Sequence, residues 1–102
     1  HVSPVAGIYA VKVWGLTGNK PLLGASNVGT RPAVGGTENR IEVHILDFSG
    51  DIYGRRIRVQ FCHKLRNETN FPSLEALKVA IANDVQATRD YFEIHPHPNL
   101  LP

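Results

Sequence analysis

The chain has no methionine, one cysteine and one tryptophan in 102 residues, and each scarcity removes a class of explanation. A lone cysteine, Cys62, cannot close an internal disulfide, which excludes a disulfide-stapled secreted module. Its surroundings, Val59-Gln60-Phe61-Cys62-His63, have strand chemistry and point to a packed or half-packed thiol, compatible with a reduced, cytoplasmic setting. No apolar run approaches the roughly 20 residues needed to span a bilayer, and no charged-then-apolar signal segment opens the chain, so no membrane partner is expected. Charge of one sign is also scarce, with a formal balance of +2. Basic residues cluster only at Arg55, Arg56 and Arg58, too few for the basic stripe with interleaved aromatics that a small nucleic-acid-binding barrel would carry. No nucleic-acid partner is expected. The absence of methionine, with His1 as first residue, leads us to expect a piece of a longer polypeptide.

What is present reads as one ordinary globular domain, near the small end of what can bury its own core. Gly7-Ile8-Tyr9-Ala10-Val11-Lys12-Val13-Trp14 is β-branched and aromatic and predicts a strand. Leu16-Thr17-Gly18-Asn19-Lys20-Pro21 has hairpin-loop chemistry, and a returning strand is expected over residues 22–28. Gly29-Thr30-Arg31-Pro32 and Gly35-Gly36-Thr37 predict a long irregular stretch. Residues 40–48 alternate clearly, with Ile41, Val43 and Ile45 on one face and Glu42, His44 and Leu46 on the other. After the turn Ser49-Gly50-Asp51, a fourth strand is expected over 56–65, with Ile57, Val59 and Phe61 opposing Arg58, Gln60 and Cys62.

Ser73 then suits a helix N-cap, with Glu75 in the first turn against the positive end of the dipole. Leu74, Leu77, Ile81, Val85, Thr88 and Phe92 form one apolar stripe over a helix expected at about 73–92. The tail from His95 to Pro102 is expected to be loose. Antiparallel strands followed by one amphipathic helix predict an all-β fold: a small closed or nearly closed antiparallel barrel with the helix packed beside it.

Glu42 sits mid-strand beside Ile41 and Val43. It is either a solvated residue on the outer face of a sheet or a carboxylate held rigidly at a site edge to take a proton from a hydroxyl. Glu42 and His44 share a face, and His95 and His97 are close in sequence, yet no Cys or His spacing supplies a third ligand; no metal site is expected in the chain. The glycines from Gly24 to Gly29 do not make a Walker loop.

Five landmarks in order nevertheless resemble the riboflavin kinase family. They are Gly7-Ile8-Tyr9-Ala10-Val11-Lys12-Val13; Gly24-Ala25-Ser26-Asn27-Val28-Gly29-Thr30-Arg31-Pro32, with Ala33 where a threonine is common; Ile41-Glu42-Val43-His44-Ile45-Leu46-Asp47-Phe48 with Gly50-Asp51-Ile52-Tyr53-Gly54; Leu65-Arg66-x-Glu68; and Phe71-x-Ser73-Leu74-x-x-Leu77. The resemblance implies a six-stranded Greek-key barrel that transfers the ATP γ-phosphate to riboflavin, giving FMN. It implies Mg²⁺ accompanying ATP, and in most bacteria a covalently linked N-terminal adenylyltransferase half that makes FAD.

By the same resemblance, Glu42 matches the general base acting on the ribityl 5′-hydroxyl. Asp47, Phe48, Ile52 and Tyr53 match the adenine and ribose side, with hairpin packing as the alternative. Arg66 and Phe71 match the segment bordering the flavin, with pairing to Glu68 or capping of nearby carbonyls the alternative for Arg66. The family's Pro-Thr-Ala-Asn motif, whose Thr and Asn meet the Mg-ATP phosphates, does not occur in the chain and is expected upstream of His1. Its absence also motivates a second reading, a non-catalytic flavin-binding or regulatory module, against which the presence of Glu42 counts.

Overall fold

A computed structural model describes residues 5–97 of the chain. Strands β1 (Gly7–Thr17), β2 (Lys20–Ala33), β3 (Gly36–Ile45) and β4 (Arg58–Arg66) are followed by helix α1 (Leu74–Ile94). The strands form one antiparallel sheet in the order β3-β2-β1-β4. Three hairpin-connected strands with the fourth returning beside the first make a Greek key. The all-β class with one late helix is as expected.

Alternation splits the sheet into two faces. Tyr9, Val11, Val13 and Val28 make a buried cluster on the inner face, joined by Val43 and Ile45 from β3 and by Ile57, Val59 and Phe61 from the β4 side. In a flat sheet β3 and β4 would stand three strand spacings apart, roughly 14 Å. Sharing one core requires the sheet to curl, and two register shifts between β1 and β4 add the local twist that helps it do so. Among the described residues β3 and β4 are the sheet's two edges.

Several element boundaries differ from expectation for identifiable reasons. The stretch 29–37 is not irregular. Gly29 to Ala33 continue β2, pairing in register with β3 from Arg40 back to Gly36, and only Val34 and Gly35 turn the chain. Pro32 is tolerated there because, among the described residues, β1 pairs with β2 only as far as Val28 and leaves the side of β2 beyond it without a strand partner. β3 ends at Ile45, not at 48, because Asp47 adopts a left-handed φ of 56° and turns the chain away. Leu46 is buried and donates its N–H to the Leu23 carbonyl at 2.8 Å.

Helix α1 begins as expected, the Ser73 hydroxyl accepting from the Ala76 N–H at 3.1 Å. It packs on the outer face of the sheet, where Phe92 joins Ala10 and Cys62 in a second buried cluster. The apolar stripe is buried only toward its C-terminal end, at Thr88 and Phe92, while Leu74, Leu77 and Ile81 stay exposed. The expected loose tail is also held at its start. The His95 N–H bonds the Tyr91 carbonyl at 2.8 Å, and Lys12 Nζ reaches the Pro96 carbonyl at 3.3 Å. The rest of that tail, from Pro98, lies outside the described residues, as does the N-terminal end at His1.

Candidate functional site

Because α1 is anchored at its C-terminal half, its N-terminal half overhangs the sheet and leaves a cavity of about 360 Å³ beneath it. Leu77, Ile81 and Val85 form the roof, Phe71 closes one end, and Ile8 and Ala25 line the floor. These walls are mainly apolar, as a flat aromatic ligand requires, and the volume falls in the range of small-molecule pockets. Ala25 matters because a small side chain there keeps the floor low. A second, polar cavity of about 220 Å³ adjoins it, lined by Thr30, Gly29 and Arg40. Asn27, Glu42 and Glu68 border both cavities.

Glu42 therefore sits where an apolar slot meets a polar one. The β-ladder fixes its backbone opposite Asn27, and the fully buried Ser26 hydroxyl donates to the Glu42 carbonyl at 3.1 Å. Its carboxylate meets Arg40 Nε at 2.7 Å across the exposed strand face. Residues i and i+2 of a strand share a face, so the Arg40-x-Glu42 spacing was the signal for this partner, which the sequence reading did not use.

Arg66, at the end of β4, does not pair with Glu68. Its Nε and Nη2 each donate at 2.8 Å to one oxygen of Asp84 on α1. The Asp84 bonds hold the guanidinium in its charged form and raise its pKa further. The same guanidinium lies 5.6 Å from the Phe71 ring centroid, a cation–π distance. Asp84 was missed although its position was informative. It stands between Ile81 and Thr88 on the buried face of the helix, where a carboxylate needs a partner.

The structure brings Glu42, Arg66 and Phe71 to one cavity. It does not bring Asp47, Phe48, Ile52 and Tyr53 there; they lie on the 46–57 connection and line neither cavity. Asp47 is instead clasped by Arg89 of α1, with oxygen–nitrogen distances of 2.8 and 2.9 Å. That hydrogen-bonded guanidinium lowers the Asp47 pKa from the usual carboxylate value. Ile52 and Tyr53 point outward, Tyr53 being almost fully exposed. Among the described residues, no group of three or more His, Cys, Asp or Glu is placed to hold a metal ion.

A family model described as riboflavin kinase matches residues 1–92. The chain belongs to the riboflavin kinase family. It is 53% identical over 92 residues to the bifunctional riboflavin kinase/FMN adenylyltransferase of Escherichia coli K12, covering 90% of this chain and 29% of that protein. The protein of the same name from Haemophilus influenzae is 46% identical, over 90% of this chain and 30% of its own length. Among solved structures, one described as a macrolide-efflux protein from Streptococcus pneumoniae matches with a TM-score of 0.79 at 31% identity. That match covers 87% of this chain and 29% of the other. The chain thus spans under a third of the length of the curated relatives it matches. Within the riboflavin kinase family, a pocket with an apolar slot, a polar annex and a strand-mounted carboxylate between them has an evident chemical use.

Proposed function

We propose that the protein carrying this chain phosphorylates riboflavin to FMN with ATP. The observation that carries the proposal is the position of Glu42 at the junction of the two cavities. Riboflavin has the same two-part character, an apolar tricycle and a polyhydroxyl chain ending in the reacting alcohol. With the ring under Leu77 and Ile81 and the chain directed toward Arg40, the terminal hydroxyl comes to the Glu42 carboxylate. Glu42 accepts the proton as that oxygen attacks the γ-phosphorus. Arg40 keeps the carboxylate oriented and adds positive charge beside the incoming phosphate. Phosphoryl transfer depends mainly on such positioning and charge neutralisation.

Mg²⁺ enters with the nucleotide, in keeping with its habit of binding through phosphates and few protein groups; when bound it neutralises phosphate charge. The described residues offer it no cage of their own. The 46–57 connection, through Asp47, Phe48, Ile52 and Tyr53, serves the adenine and ribose. The lengths and names of the relatives support a covalently linked FMN adenylyltransferase half in the whole protein; the phosphate-facing groups belong, by the family resemblance alone, to a Pro-Thr-Ala-Asn segment outside this chain. ATP as substrate and the reduced thiol of Cys62 suit the cytoplasm. No helix among the described residues is long and apolar enough to cross a membrane.

The test is direct. The full-length protein is incubated with riboflavin and MgATP, and FMN and ADP are followed chromatographically. They should appear in equal amounts, and absence of FMN from folded, flavin-binding protein would overturn the proposal.

A further inference from the structure

Glu68 lies on the connection between β4 and α1, where the resemblance gives it no role. Two features set it apart from an ordinary loop carboxylate. It borders both cavities, together with Asn27 and Glu42. It is seated against the backbone of Gly29 in β2, so closely that a Cβ there would lie 3.1 Å from its Cδ and nearer still to Oε1. A larger residue at 29 would push this flexible carboxylate aside. It is exposed and has no hydrogen bond or ion pair within the described residues, so its acceptor oxygens are open to a ligand, unlike those of Glu42, Asp47 and Asp84.

An ionised carboxylate is an acceptor only. Placed beside a second carboxylate, it repels anions, so it does not bind the nucleotide's phosphates. Its complement is a donor. Along the path from the apolar slot to the polar cavity, the donors a riboflavin molecule offers are the secondary hydroxyls of its ribityl chain.

Building on the proposed kinase activity, we propose that Glu68 is a specificity residue for the ribityl chain, accepting hydrogen bonds from its secondary hydroxyls, and that Gly29 sets its position. Glu68, Asn27 and Glu42 form a polar collar through which the chain passes. The collar distinguishes a flavin with a polyol chain from one without it, while the roof of α1 and Phe71 hold the ring in either case.

The experiment uses the full-length protein and measures KM for riboflavin, Ki for lumiflavin (the same ring without the polyol) as a competitive inhibitor of FMN formation, and KM for MgATP. In Glu68→Ala the riboflavin KM should rise about ten-fold, as expected for losing hydrogen bonds to a charged acceptor. Lumiflavin Ki and MgATP KM should stay within about two-fold. Glu68→Gln, which keeps one acceptor oxygen, should fall between. Gly29→Ala should reproduce the selective loss by displacing the carboxylate, and adding it to Glu68→Ala should cost little more. Equal weakening of riboflavin and lumiflavin, a riboflavin KM that does not move, or a rise confined to MgATP would each overturn the role given to Glu68. Wild-type protein that forms no FMN would instead sink the kinase reading on which it rests.

Discussion

Arg66 and Asp84 face each other in a two-pronged ion pair that ties the end of β4 to the middle of α1, directly behind Phe71. With side-chain exposures of 30% and 12%, the pair is well shielded from solvent. Removing either partner strands a charge beneath the helix. Arg66→Ala should therefore lower stability by about 3 kcal/mol, the lower edge of the range for breaking a buried pair. It should also weaken riboflavin binding while leaving ATP affinity unchanged. Thermal denaturation with parallel titrations checks both effects, and equal losses for the two substrates would show that the pair supports the whole domain and not the flavin slot.

Glu42→Gln is isosteric, and the carboxylate it replaces is largely exposed. The fold should persist, with a melting temperature within a few degrees of wild type. Turnover should drop by about 10²–10⁴-fold, the usual contribution of a general base. Near-normal turnover in folded Glu42→Gln protein would remove the base assignment.

The Arg89–Asp47 clasp is exposed, so it mainly places the 46–57 connection and adds only a little to stability. Arg89→Ala should raise KM for MgATP with little change in KM for riboflavin or in melting temperature. The pH dependence follows from the lowered pKa of Asp47. A carboxyl depressed in the folded state contributes above its unfolded pKa, and the contribution is lost as pH falls through the folded value. The difference between wild type and Asp47→Asn should be constant at neutral pH and fade below about pH 4. A difference that changed between pH 6 and 8 would point to another group.

Cys62 is buried and its pKa is pushed up, chiefly by burial, with Lys12 opposing. A thiol raised in the folded state stabilises it below the unfolded pKa of about 8.5, and that contribution is lost as pH rises through the folded value. Iodoacetamide should label native Cys62 more than an order of magnitude more slowly than the unfolded chain. Part of the stability loss above about pH 9 should disappear in Cys62→Ser. Rapid labelling of native protein would contradict the burial.

The local parts of this fold were legible because they depend on short-range rules. Period-two alternation placed Val43 and Ile45 on the core face, and the Ser73 hydroxyl marked the helix start. Side-chain partnerships were not legible. Arg66 finds Asp84 18 residues away, and Arg89 finds Asp47 42 residues away. With 11 Lys+Arg and 9 Asp+Glu available, sequence alone does not select such pairs. The β2–β3 ribbon was hidden for a different reason. Gly29, Pro32, Gly35 and Gly36 carry loop propensities, and Pro32 stays in a strand where, among the described residues, β2 has no partner on its β1 side beyond Val28. The two apolar ends of the helix stripe look alike in sequence, yet one packs and the other overhangs a void.

That overhang leaves part of the helix short of packing partners. Leu77, Ile81 and Val85 give up contacts they would have had if α1 lay flat, and under the proposed function the flavin ring would supply them. The proposed function then couples occupancy to folding: at a flavin concentration a hundred times Kd, the domain should gain about 2.7 kcal/mol of resistance to unfolding. Under the proposed function, added riboflavin should also slow proteolysis within the N-terminal half of this helix.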